Sequence, residues 1–340
     1  MPFEPRPCGR GHIVSAKSMK RIVLIHGGAI GDLVQTLPAM AAVRAAWPEA
    51  TVTLIGRPER AALAVVAGAA ERIVDIETCG LWRVMGEAEA PALPVLDGAD
   101  LVVDLFTKGA LAAGLEKSTA GQDRPWHTRL RIVPIDPLPP EGWDRSAAAW
   151  ILDQVRGALG LAVSSETPCM PLTEAAAGAA RSLLASRGVV KRFVAIHPGS
   201  GSTAKNWPAD RFARLARRVR DESERNVVWI AGPAEQERGT LPRAAEDDTV
   251  LADLTLVQVA GVLAVADGYV GNDSGITQIA AAVRGRDGRT TPTVALFGPT
   301  DPRVWSPRGE HVRLIAAAGG QIGRISVDEV AEAVAALLTR

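Results

Sequence analysis

Twice along the chain an apolar run ends in a glycine-rich turn that opens into a helical pattern. The first instance is "RIVLIHGGAIGDLVQTLPAM" from Arg21, and the second is "RFVAIHPGSGSTAKNWPADRFARLA" from Arg192. Uninterrupted apolar runs alternating with helices are what a parallel sheet covered on both faces requires, because each strand then buries both of its own faces. "ATVTLIGRP", "RIVDI" and "DLVVDLF" continue the first series; "NVVWIAGP", "DGYVGNDSG" and "PTVALFGPTDP" continue the second. The pattern predicts an α/β chain of two Rossmann-like, doubly wound parallel-sheet domains.

A length of 340 residues also favours two domains over one. Residues 1–18 lack the apolar core of a secretory leader and are expected to be a disordered extension, or a misassigned start, since Met19 opens "MKRIVLIHGG". The first domain is expected over residues 19–175 and the second over 176–340, with the boundary in the Pro- and Ser-containing stretch between 165 and 185. The segment from Asp123 to Gly142, rich in Pro and Arg, reads as irregular. Helices are expected over "WDRSAAAWILDQVRGALG", Thr173 to Arg187, Pro208 to Ser223, from Ala234 and from Ile276. The tail helix has Ser326 as N-cap and Glu329 at the capping-box position.

Basic and acidic residues balance at 38 each, so no global field marks a nucleic-acid partner. Cys8, Cys79 and Cys169 have no metal-ligand spacing and suit a reducing compartment better than a disulfide framework. No metal or cofactor site is expected, and no apolar run approaches the roughly 20 residues of a membrane span.

Neither glycine turn fits a dinucleotide site. In the first, a G-x-G-x-x-G frame would need glycine at His26, so only Gly28 and Gly31 fit. In the second, Pro208 starts the helix too late, and no acidic residue closes "NVVWI" at the required distance. The second turn instead offers small residues, hydroxyls at Ser200, Ser202 and Thr203, and one fixed charge at Lys205, which together suit a diphosphate. "GNDSGITQIAAAV" places Asp273, Ser274 and Gly275 at a helix start, where they could cap it or face an anion. Thr300, Asp301 and Arg303 follow the last strong strand. Ligands of open α/β sheets bind outside the carboxyl ends of the strands, so these turns converge on one crevice. Asp32, at the start of the first helix, reads equally as a helix cap, a nucleotide ligand or a catalytic base.

"GAIGDLVQTLPAM", "HPGSGSTAKNWPADRFARLA", "AGPAEQE" and "GNDSGITQIAAAV…PTVALFGPTDPRVWSPRG" together resemble the successive motifs of family 9 glycosyltransferases, the bacterial ADP-heptose:lipopolysaccharide heptosyltransferases. The resemblance runs from about Lys20 to the C-terminal helix. It implies a GT-B architecture, two Rossmann-like domains facing a cleft, with acceptor on the first and nucleotide sugar on the second. It implies metal-independent, inverting transfer of a heptose from an ADP-sugar donor to a lipopolysaccharide or other glycan acceptor, without a cofactor. The place implied is the cytoplasmic face of a Gram-negative-type inner membrane. By motif match Asp32 falls on the catalytic base and Lys205 on the lysine at the diphosphate, with Ser200 and Gly201 near the hydroxyl positions that touch phosphate. Glu235 matches the acid that holds the ribose, with Glu237 close enough to compete, and Asp273, Ser274 and Gly275 match the donor-phosphate block. One position departs: where the family usually has histidine, this chain has Gln278, which can donate a hydrogen bond but cannot carry a charge. Alternatives are a sugar-nucleotide epimerase of related fold and a silent nucleotide-sugar-binding module.

Other features read more plainly. Arg211, Arg214, Arg217, Arg218 and Arg220 form a basic helix better explained as a solvated face than as a lipid contact. Arg124, Trp126 and His127 could line an acceptor site, and the strand-end His26 and His197 are hydrogen-bonders rather than acids or bases.

Overall fold

The computed structural model describes residues 19–86, 93–119, 130–162, 165–232, 235, 248–285 and 287–339. The expected extension at 1–18, the helix after Ala234 apart from Glu235, Glu237, and Arg124, Trp126 and His127 lie outside the described residues.

Two parallel sheets carry the fold. In the first, β1 (Arg21–His26), β2 (Thr51–Gly56), β3 (Arg72–Asp75), β4 (Leu101–Asp104) and β5 (Arg131–Pro134) take the order β3-β2-β1-β4-β5. In the second, β7 (Phe193–His197), β8 (Asn226–Ile230), β9 (Thr249–Leu251), β10 (Gly268–Asn272), β12 (Thr293–Phe297) and β13 (Val312–Ala316) take the order β13-β12-β10-β7-β8-β9. Every strand pair in both sheets is parallel. Each sheet reverses direction beside its first strand, between β1 and β4 and between β7 and β10, and such a reversal opens a crevice beyond the strand ends. A separate two-stranded pairing joins β6 (Met170–Pro171) to β11 (Val283–Arg284).

The helices are α1 (Ile30–Ala46), α2 (Pro58–Val66), α3 (Leu81–Gly86), α4 (Ala110–Thr119), α5 (Ala147–Leu159), α6 (Glu174–Ser186), α7 (Ala209–Ser223), α8 (Leu256–Val265), α9 (Gly275–Ala282), α10 (Pro302–Trp305) and α11 (Val327–Leu338). α5 packs on α1, α6 on α8, and α1 on α9. Ser274 and Ser326 cap their helices as the sequence allows, and Thr173, read as a first helical residue, is also an N-cap; each accepts a hydrogen bond from the amide three residues on. Pro208 is the N-cap of α7 rather than its first residue.

The central strands are the apolar runs. Three of the four edge strands, β5, β9 and β13, depart from the sequence reading, and β5 corrects the expectation that Asp123 to Gly142 is irregular throughout. Pro134 ends β5, and an edge strand tolerates proline because one side of its backbone needs no partner. One apolar cluster runs continuously from Leu24, Leu37 and Met40 of the first half to Leu263, Ile279 and Val283 of the second, so the halves share a core beneath the crevice.

Candidate functional site

α1 and α9 begin at the two crevices and meet there. A Cβ on Gly275 would lie 2.6 Å from Ile30 Cβ, and one on Gly31 would lie 3.7 Å from Gly275 Cα. Glycine at 275 is therefore required for the helix starts to approach, a demand distinct from the phosphate contact that the sequence suggests for it. The free amides of both helix starts border a cavity of about 370 Å³.

Eight residues expected from sequence line that cavity: Asp32, Gly201, Lys205, Asp273, Ser274, Gly275, Gln278 and Thr300. Asp32 is the third residue of α1, and Ala29 is the N-cap. Its Oδ2 accepts the Ala29 amide at 3.1 Å, half of a capping box, since alanine has no acceptor to return. Asp32 therefore braces the helix start with one oxygen while its carboxylate borders the cavity. Opposite it, Lys205 Nζ lies 2.7 Å from Asp273 Oδ2, and the Asp273 side chain is only 10% exposed. A lysine ammonium has three donors, so Lys205 can keep Asp273 and still reach an incoming anion.

The remaining expected residues lie outside the cavity wall. Ser202 and Thr203 are exposed on the same loop. Ser200 is buried and its hydroxyl turns into that loop, 2.7 Å from the Ser202 carbonyl and 2.6 Å from Asn206 Oδ1. Glu235 is buried, and its Oε2 accepts the Gly232 amide at 2.8 Å. A Cβ on Gly199 would overlap the Glu235 carboxylate at 1.8 Å, so the second glycine turn and Glu235 occupy adjoining space that glycine alone leaves open.

Sequence reasoning missed three contributors. Asn272, fully buried at the end of β10, donates to the Pro198 carbonyl at 2.7 Å and accepts the Trp207 amide at 3.0 Å, tying the Lys205 loop to its sheet. Gln35 and Trp305 also line the cavity. Gln35 follows Asp32 by three residues, the spacing that shares a helix face, and that was its signal.

The strand-end histidines are buried. The His26 imidazole is pushed down to about 4 by burial, with the Arg60 guanidinium adding to the effect. Arg60 itself donates to the Gly28 carbonyl at 2.7 Å. Burial also lowers His197, opposed by its Nδ1 contact with the Ile230 carbonyl at 2.9 Å and by the Glu235 charge. In both, burial favours the neutral ring. On α7, Arg218 pairs with Glu222 and Asp328, and Arg220 with Asp248, which favours the plain reading of that helix.

A family model described as glycosyltransferase family 9 (heptosyltransferase) matches residues 151–324, just over half of the chain. The chain belongs to that family. It is a glycosyltransferase of the heptosyltransferase group, and its two sheets are the GT-B arrangement. The lipopolysaccharide heptosyltransferase 1 of Pseudomonas aeruginosa is 26% identical over 306 residues, covering 83% of this chain and 79% of the relative. Two solved Escherichia coli structures share the fold. The ADP-heptose LPS heptosyltransferase II has a TM-score of 0.70 at 19% identity, covering 94% of this chain and 99% of that one. The heptosyltransferase WaaC with ADP has a TM-score of 0.66 at 18% identity, covering 93% and 99%. Among the described residues of this family 9 chain, no helix is long and apolar enough to cross a membrane, and no group of three or more His, Cys, Asp or Glu could hold a metal ion.

Proposed function

We propose that this glycosyltransferase moves a heptose from ADP-heptose to a hydroxyl of lipopolysaccharide core, inverting the anomeric centre and using no metal. The observation that carries the reading is that one carboxylate, Asp32, and one cation, Lys205, line the same cavity from different halves of the molecule. Asp32 takes the proton of the acceptor hydroxyl. The acceptor oxygen forms its bond to the anomeric carbon as the bond from that carbon to the diphosphate breaks, and the electron pair leaves with the diphosphate oxygen. Displacement from the face opposite the leaving group inverts the centre.

Charge then develops on the diphosphate, where Lys205 and the amides at the start of α9 stabilise it most. Ser200, Gly201, Ser202 and Thr203 shape the loop around the phosphates, with Asp273, Ser274, Gly275 and Gln278 on the facing helix start. Glu235 holds the ribose, beside a turn that only glycine at 199 leaves open. The relative's name and the ADP in the WaaC structure support an adenine nucleotide and a heptose. The acceptor half is assigned to residues 19–175 and the donor half to 176–340. The packing of α5 on α1 and of α6 on α8 supports a division between those helices. Action at the cytoplasmic face of the inner membrane follows from the acceptor class.

Asp32→Asn tests the reading. It keeps the volume and removes the base, so transfer to heptose-deficient lipopolysaccharide should fall by at least about 10²-fold while ADP affinity stays within about twofold of wild type. Transfer near the wild-type rate would remove Asp32 from the mechanism.

A further inference from the structure

The Trp305 carbonyl fixes how the Gln278 amide lies. A carbonyl only accepts, so Gln278 Nε2 donates to it, at 2.7 Å. Gln278 Oε1 is thereby turned toward α1, where Gln35 Nε2 donates to it at 3.0 Å. Gln35 is 3% exposed and Gln278 5%, so both side chains are largely shielded from water. The series Gln35, Gln278, Trp305 therefore runs from the first half into the second along the cavity wall, next to the point where Gly31 and Gly275 bring the two helix starts together.

A neutral imidazole has one donor and one acceptor, and in this setting Gln278 uses one of each. Glutamine reproduces that pattern with no proton to gain or lose, provided its acceptor meets a donor. Gln35 supplies it. We propose that Gln35 is a positioning residue: its amide holds Gln278 in the orientation of a neutral ring and latches α1 to α9, fixing Asp32 relative to Lys205 and the helix start at Gly275.

The latch makes a directional demand that packing does not. Gln35→Leu fills the space but leaves Gln278 Oε1 buried without a donor. Gln35→Glu introduces a carboxylate close to isosteric with the amide, and because a carboxylate can only accept, it sets oxygen against oxygen. Adding Gln278→His repairs the series: the charged ring donates from one nitrogen to that carboxylate and from the other to the Trp305 carbonyl.

The experiment compares wild type with Gln35→Leu, Gln35→Glu and the double variant Gln35→Glu/Gln278→His at pH 7.5. Its readouts are the thermal unfolding midpoint and the turnover of ADP-heptose with heptose-deficient lipopolysaccharide. Each single variant should lose about tenfold or more in turnover and melt lower than wild type, and the double variant should recover most of both losses. Single variants within twofold of wild type, or a double variant no better than Gln35→Glu, overturn the latch. The turnover readout rests on the proposed donor and acceptor. If wild type turns over no ADP-heptose, that reading fails, and the unfolding series still decides the latch: recovery by the double variant supports it and absence of recovery overturns it.

Discussion

The two crevices share a plan and differ in their polar content. At the end of β1 a glycine turn leads into α1 and presents a single carboxylate, Asp32, braced by one amide. At the end of β7 a longer turn is tied down by Asn272 and Ser200, adjoins Glu235, and presents a lysine already paired with Asp273. A buried polar network is rigid when its members are satisfied, because each broken bond leaves an expensive unpaired group. The second crevice is thus organised before any ligand arrives, which suits a site that must meet developing charge without reorganising. The first also holds fixed polar contacts, Arg60 on the Gly28 carbonyl at 2.7 Å and the buried Asp104 on the Phe106 and Thr107 amides at 3.1 and 2.8 Å, but the one charge it turns to the cavity is Asp32.

The sharpest way to break this comparison is to remove what each crevice contributes. Asp32→Ala should reduce transfer by about 10²- to 10⁴-fold and leave nucleotide affinity unchanged in titration calorimetry. Lys205→Ala should do the opposite in kind, weakening ADP by about tenfold to a hundredfold, the worth of a charge-assisted contact, and lowering turnover with it. If both variants lost affinity alike, the division of labour between the crevices would be wrong.

The meeting of the helix starts can be tested through packing. Gly275→Ala puts a methyl 2.6 Å from Ile30 Cβ, and overpacking of this kind costs about 1–3 kcal/mol, read as a lower denaturation midpoint. A smaller effect is read through pH. The His26 imidazole binds its proton at about 4 in the folded protein and at its usual 6.5 once unfolded. The unfolded chain therefore binds more protons between those values, so stability is full above about 6.5 and is lost as pH falls toward 4. His26→Gln should flatten that slope by at most about 1.4 kcal/mol per pH unit. An equal slope in wild type and variant would show that His26 is not the group responsible.

Much of this was legible in the sequence, for identifiable reasons. β1, β4, β7, β8 and β12 sit inside their sheets and so must be apolar on both faces, a demand that leaves runs rich in Val, Ile and Leu. β13, at an edge, buries only Ile315 among its five residues, and "TVL" of β9 is too short to stand out. Of the residues that line the cavity, Asp32, Lys205, Asp273 and Gly275 stand out in the sequence because they lie in turns after apolar strands, where such sheets open a crevice. Gln35, Asn272 and Trp305 do not. Their parts depend on partners 243, 74 and 27 residues away in the chain, and no local pattern encodes such pairings.

The central claim is that the second crevice is a preorganised site for an adenosine diphosphate sugar, with Lys205 at the phosphates. It is tested most directly by calorimetric titration of wild type and Lys205→Ala with ADP, UDP and GDP in buffer containing EDTA. The account predicts that wild type binds ADP in preference to UDP and GDP, and that Lys205→Ala loses about tenfold or more of that affinity. Preference for UDP or GDP, or an ADP affinity indifferent to Lys205, would contradict it.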